Sequence, residues 1–383
     1  MTVTERVMRL GDWSLVLQPD TPKSVRDLID GFGHVVVMPV PVDVADMSDA
    51  QLANARFTGV ITRPGPYYRI GGHSLAFWLG TDQRAYGNGI AANAFTNWVV
   101  PAATPFASAI SAAVGNCGLT VGTTTDPSGG SYYPEGTSYH YAKHRVVLDA
   151  VCRWYDAEWR INPDGTVDAA RYDTLYGTPT TVVTRRGGGR AIGGVGIEAL
   201  IDAQSDLWDY ASRVVIRGQT QVGQYGSTSS VYRNFGLQWL SAVAEQDASD
   251  LDGDLDVAAQ RLHGTLQHAH QTVTVTSNQY DFAGVVPAGS RIWVYDPDVG
   301  VVAEPTIAAN SVEWQGEHIK PLTFRAMSVT WPVEESMSVF VRRVTGSGVS
   351  GTAEYLDLTP WVVPESGDTQ VEVGYDVSLM WQG

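Results

Sequence analysis

Met327, Val329 and Trp331 alternate with Ala326, Ser328 and Thr330, and that period of two constrains this chain more than any other feature. It places the large apolar groups on one face of a strand and suits no helix. Trp293 and Tyr295 alternate in the same way with Ile292 and Val294, a pattern that predicts a strand buried on both faces. Asp296, Pro297 and Asp298 follow as a turn, because proline presets φ and aspartate side chains bond nearby amides. No nucleophile, acid–base pair or ligand set stands out here, so Arg291 to Arg343 reads as architecture. With 40 glycines and 19 prolines, short strands joined by many turns are favoured over long helices. At 383 residues, 44% hydrophobic and 10% aromatic, the chain has material for two to four cored domains.

Four segments emerge along the chain. Residues 1–90 read as a small β-barrel or sandwich. Trp13, Leu15 and Leu17 alternate; Thr21 and Pro22 open a short helix with Val25, Leu28 and Ile29 on its apolar stripe; 35–40, 57–62 and 68–79 are further β segments. Residues 91–180 read as an inserted α/β domain. It holds a helix after Thr104-Pro105 with Phe106, Ala109, Ile110 and Ala113 on one side, and a polar loop over 122–138. A helix over 143–155 follows, with Val147, Leu148, Val151 and Trp154 at helical spacing. A hairpin turning at Asn162-Pro163-Asp164-Gly165 closes it. Residues 181–345 form a second β unit, with a strand at 214–216, a helix over 254–269 carrying Leu255, Ala258, Ala259, Leu262 and Leu266, and a strand at 272–276. Residues 346–383 are a linker and short C-terminal β extension.

The net charge of −16 opposes wrapping of nucleic acid, which rests on neutralising phosphates. An acidic wall repels phosphate, as a conduit for DNA requires. From Val344 onward there are six carboxylates and no Lys or Arg, which makes an acidic surface or the complement of a basic partner. Arg outnumbers Lys 22 to 3, a codon bias of a GC-rich genome. Two cysteines make no disulfide framework, and Cys152, in VLDAVCRWY, reads as a small core residue. Neither a targeting segment nor a membrane span is expected.

Several clusters invite chemistry, and each has a structural reading that outweighs it. Asp250, Asp252, Asp254 and Asp256 resemble a calcium loop, but the glycine is misplaced for an EF-hand and no closing glutamate follows. Carboxylates at a helix start cap amides and oppose the dipole. His263, His268 and His270 lack helical ligand spacing; His140 and His144 are better spaced, with Cys152 near in sequence, yet no further ligand stands at zinc spacing. Asp156, Glu158, Asp164 and Asp168, beside Trp154 and Trp159, suggest glycoside cleavage, but Asp164 has a turn to hold and Glu158 and Trp159 lie on opposite strand faces. Arg185, Arg186 and Arg190 flank three glycines without the ending of a phosphate loop. No catalytic, cofactor-binding or metal residue is assigned, and no cofactor is expected.

The segments VYDPDVG, GEHIKP and TWPVEESMSVFVRR, with GDWSLVLQ, FTGVI, GGHSLAFWLG and AEWRINPDGTVD, resemble the hub-type minor tail proteins of long-tailed phages infecting high-GC Gram-positive bacteria. The likeness spans most of the first 345 residues. It implies an α+β, β-rich fold of two β-barrel-like, tail-tube-type domains with the α/β insertion and C-terminal extension. It also implies a fold similar to the baseplate hub of contractile-tailed phages, a trimeric ring under the tail tube. A homotrimer is then expected at the virion tail tip, assembled after synthesis in the host cytoplasm. It would contact a distal tail protein, a tape measure protein and other minor tail proteins, and let DNA transit without specific binding. The expected role is structural and not enzymatic. The alternative is a tail protein that binds or cleaves cell-envelope glycans.

Overall fold

The computed structural model describes residues 1–29, 31–64, 68–80, 97–115, 117–127, 129–140, 142–177, 181–185, 195–206, 211–217, 222–226, 241–245, 255–256, 259–260, 263, 270–278, 286–295, 322–345, 352–363 and 368–375. In chain order the N-terminal part holds β1 (Thr2–Arg6), β2 (Asp12–Val16), helix α1 (Lys23–Arg26), β3 (His34–Met38), β4 (Phe57–Arg63) and β5 (Arg69–Ser74). Next come β6 (Asn97–Val99), β7 (Thr104–Pro105), α2 (Phe106–Val114), β8 (Thr120–Thr124), β9 (Tyr132–Tyr133), β10 (Ser138–His140), α3 (His144–Trp154), β11 (Glu158–Ile161), β12 (Thr166–Ala170) and α4 (Tyr172–Tyr176). The remainder is nearly all strand: β13 (Thr181–Arg185), β14 (Val195–Asp206), β15 (Arg213–Arg217), β16 (Val222–Gly226), β17 (Ser241–Glu245), β18 (His270–Ser277), β19 (Arg291–Tyr295), β20 (Leu322–Pro332), β21 (Ser338–Thr345), β22 (Thr352–Asp357) and β23 (Thr369–Tyr375). The class is α+β and β-rich, with few helices and extensive antiparallel pairing. Among the described residues no helix is long and apolar enough to cross a membrane.

The chain forms two compact units. The first comprises 1–178, 277–290 and 327–370; the second comprises 179–276, 291–326 and 371–383. In the first, strands pair in the order β1-β2-β5-β4-β3-β21-β22, and the end of β20 lies beside β1 with Val3 opposite Trp331. β21 joins antiparallel to β3, with Val37 opposite Val339. Trp13, Leu15, Leu17 and Val35 to Met38 are buried, as their pattern requires. The indole of Trp13 lies across β4 and β5, and its Nε1 donates to the His73 carbonyl at 3.2 Å. That close approach needs glycine. A Cβ at Gly59 would stand 2.5 Å from Trp13 Nε1, and one at Gly72 would meet the Val60 carbonyl and come 2.9 Å from the indole.

The α/β part of this unit packs α2 and α3 over the small sheet β11-β12-β8, in which β12 runs parallel to β8. Phe106, Ala109, Ile110 and Ala113 are all buried, as the helical spacing predicts, and so are Val147, Leu148 and Val151. His144 opens α3 and donates from Nδ1 to the Ala113 carbonyl at 2.8 Å, satisfying an acceptor at the end of α2. The hairpin forms as expected: Asn162 accepts from Gly165, and Trp159 opposes Ala169.

In the second unit the pairing order β19-β13-β14-β18-β23-β20 returns on itself, because β19 also pairs with the start of β20, Ile292 opposite Phe324. Val183, Ile197, Val275, Val294 and Phe324 are buried there. A separate sheet, β16-β15-β17, packs Val214 and Ile216 against Leu255 and Ala259. Leu255 and Ala259 fit the apolar face expected of a helix over 254–269; Ala258, Leu262 and Leu266 lie outside the described residues.

Several expectations need correction. Met327 is 45% exposed, while Phe324 and Ala326 are buried in the second unit and Val329 and Trp331 in the first. The alternation changes phase where the strand passes from one unit to the other. Trp293 is only partly buried, so one face of β19 is core, through Ile292 and Val294. Trp154 is 42% exposed at the last position of α3. Thr21 does not cap α1; its hydroxyl donates to the Gln18 carbonyl at 2.7 Å, and Pro22 occupies the cap position. The stretch 122–138 is not all loop, since β9 and the ends of β8 and β10 fall in it.

If the Trp13 contact orders this sheet, Gly72→Ala lowers stability by about 1–3 kcal/mol, the range of an overpacked core. Denaturant unfolding of the variant checks this, and an unchanged midpoint would refute it.

Candidate functional site

One polar cluster ties β21 and β22 to the short 3₁₀ turn Asp49–Asn54. Arg342 grips Asp49 through two bonds of 2.8 Å, Nε to Oδ1 and Nη2 to Oδ2. The Tyr355 hydroxyl donates to the same Oδ1 at 2.6 Å. Arg342 and Tyr355 oppose each other on β21 and β22, so strand register alone sets them on one face. The Arg342 bonds, with help from Tyr355, hold the Asp49 carboxyl down to about 2. Met47, Leu52 and Ala55 pack with Val36, Met38 and Phe340 beside it. Nearby, Trp78 Nε1 donates to His34 Nε2 at 3.3 Å. Burial, reinforced by Arg342, pushes His34 down to about 4, so the imidazole is neutral near pH 7. Nothing in the local sequence announces this cluster, because Asp49 is separated from Arg342 by 293 positions.

A second network closes the hairpin. Asp168 is buried and accepts from the Thr123 amide at 2.8 Å, from Asn162 Nδ2 at 2.9 Å and from Arg160 Nη2 at 3.1 Å. Burial opposes its charge, but the bonds from Asn162, Thr123 and Arg160 outweigh that and keep its pKa below the ordinary value. A Cβ at Gly122 would collide with Asp168 Oδ1, so this approach also depends on glycine. A carboxylate saturated in this way braces a fold; it is not poised to move a proton.

The residues singled out from sequence fall as follows. Asp164 accepts from the Thr166 amide and hydroxyl at 2.9 and 2.7 Å, the turn duty expected of it. Trp159 is buried and donates to Asp149 at 2.7 Å, while Glu158 is partly exposed on the same strand. Asp156 sits at φ 54° just after α3. Asp256 accepts from the Gln224 amide at 2.9 Å; Asp250, Asp252 and Asp254 lie outside the described residues. His263 bonds the Ser212 carbonyl through Nε2 at 3.1 Å, and His268 lies outside the described residues. His270 begins β18 opposite Asp206. His140 is exposed on β10, while His144 is buried at the start of α3, so the two do not share a helix face. Arg185 ends β13, and 186–190 lie outside the described residues. Among the described residues no group of three or more His, Cys, Asp or Glu side chains is placed to hold a metal ion. Cys117 and Cys152 are free and buried in the α/β core. Burial pushes the Cys117 thiol up to about 11 and that of Cys152 further.

These geometries set three expectations. Both thiols stay unreactive toward a disulfide reagent at pH 8 in the native protein and react fully once unfolded; fast native labelling of either contradicts the burial. Asp168→Ala leaves the Thr123 amide and Asn162 without their buried acceptor and costs about 1–3 kcal/mol in denaturant unfolding; a loss near zero removes the bracing role. For pH, the His34 pKa is depressed, so the unfolded chain takes up more protons and stability declines as pH falls from 6.5 toward 4. Asp49 is likewise depressed, so its contribution is present above about 4 and is lost as pH falls toward 2. Stability curves of His34→Gln and Asp49→Asn lose the upper and lower acid limbs respectively; unaltered curves would contradict both assignments.

No family model matches the sequence, nor does any curated protein at a significant level. Solved structures that resemble the fold along nearly the whole chain include two tail proteins. One is a 43 kDa tail protein of prophage MuSo2 from Shewanella oneidensis, with TM-score 0.53 and 9% identity over 99% of this chain and 94% of that one. The other is a tail protein from Neisseria meningitidis MC58, with TM-score 0.52 and 15% identity over 98% and 91%. At these identities the likeness is one of fold.

Proposed function

We propose that this chain is a structural protein of a phage virion, a tail protein that acts as the trimeric hub between a sixfold tube and a threefold tip. The observation that carries the reading is the end-to-end fold likeness to two tail proteins, one of them from a prophage, which takes in nearly the whole chain. Two β modules per chain let three copies present six around one axis. On this reading the two modules are 1–90, with strands from 327–370 added to it, and the β part of 181–345; the self-returning order of β13, β14, β18, β19, β20 and β23 supports a barrel-like second module.

On this reading the α/β part, 91–180, lies at the periphery, and 346–383 adjoins a neighbouring tail component. The partners are a distal tail protein, a tape measure protein and other minor tail proteins. DNA passes by without specific binding, which the net charge of −16 favours. The work is mechanical and non-enzymatic, a role supported by Asp164 and Asp168 being spent on holding the hairpin. The protein is made in the host cytoplasm and resides at the tail tip.

Light scattering of the purified protein is expected to give a particle three times the 41.3 kDa chain mass, alone or with its tail partners, and quantitative mass spectrometry of virions about three copies per tail. A chain absent from the virion would overturn the tail assignment. A virion chain present as a monomer would overturn the hub alone.

A further inference from the structure

We propose that the outer edge of β22, Thr352–Asp357, is a docking site for an extended, basic peptide segment of another protein, which adds to the sheet as one more strand. Among the described residues β22 has a strand neighbour on one side only, β21, and the order of the first unit ends there. Such an edge offers a row of backbone donors and acceptors, and proteins normally blunt it with proline, lysine or a bulge. β22 has no proline or lysine, and its register with β21 runs without a shift from Phe340–Asp357 to Thr345–Thr352. It is also held in place: Tyr355 is tied to Asp49, which Arg342 grips from the next strand. A strand already ordered spares an incoming peptide part of the entropy that docking costs.

Charge selects the occupant. Glu354 is exposed on β22 and Asp357 ends it, and Asp43, Asp46 and Asp49 are exposed on the turns beside it; against these stand Arg342, already paired with Asp49, and Arg343, opposite Glu354 on β21. A second copy laid along this edge brings acid against acid, on a chain whose net charge is −16. A basic segment is attracted instead. The turn Val44–Asp46 lies near β22, and its Val44 is exposed. The inference concerns this edge alone and does not depend on the tail reading.

The test uses the full-length protein and a labelled, end-blocked octapeptide alternating Lys and Val. Comparison peptides carry Glu in place of Lys, or N-methyl groups at every residue. Hydrogen exchange of residues 352–357 is followed with and without peptide. The Lys–Val peptide is expected to bind and to slow exchange in β22. The N-methylated peptide, equal in charge, is expected to bind at least tenfold more weakly, the Glu peptide not at all, and Glu354→Lys to weaken binding at least fivefold. Equal binding by the methylated peptide, or no change in β22, would reduce the effect to bulk charge and overturn the site. Protection, in the free protein, of the β22 amides that do not bond β21 also overturns it: if concentration-dependent, a second copy covers the edge; if not, the chain covers it itself.

Discussion

The first unit depends on strands that meet across more than 300 residues. Val3 lies against Trp331 and Val37 against Val339, so the N-terminal sheet is completed only after most of the chain has been made. Loop closure over that distance costs only slowly more than over a short one, since the entropy grows with the logarithm of length. The return is large. Trp331, Phe340, Val339 and Val341 are all buried, and fully burying side chains of this kind is worth about 1.5–3 kcal/mol each. Non-local strand pairing of this sort also implies slow folding.

Polar side chains are concentrated on the same junctions. Glu5 on β1 accepts from Trp331 Nε1 at 2.9 Å and pairs with Arg56 at 3.1 Å, while the Arg56 guanidinium lies 4.8 Å from the Trp331 ring centre. Arg342 and Asp49 do the corresponding work at β21. Glu5, Arg56 and Arg342 are partly buried and hydrogen-bonded, which gives them geometric value beyond that of surface ion pairs, whereas Asp49 is exposed.

The local patterns were legible. Trp13, Leu15 and Leu17 fixed a strand, Phe106, Ala109, Ile110 and Ala113 fixed a helix face, and Asn162 to Gly165 fixed a hairpin, because each needs only neighbours within one element. Met327 and Trp154 were misread for a common reason. Periodicity says which residues share a face, but which stretch of that face is covered depends on packing from elsewhere in the chain. The Asp49, Arg342 and Tyr355 cluster was illegible, since no local spacing encodes a contact between distant strands. The candidate carboxylates were half legible: the turn role of Asp164 followed from its motif, whereas the bonds from Thr123 and Arg160 that occupy Asp168 did not.

Native-state hydrogen exchange of the whole chain tests the dependence on distant strands most directly. Amides of β1 to β5 and of β21 are expected to open as one cooperative unit, with the same free energy and the same response to denaturant. If β21 exchanges at low cost while β1 to β5 remain protected, the N-terminal sheet stands without its distant partner and the account fails.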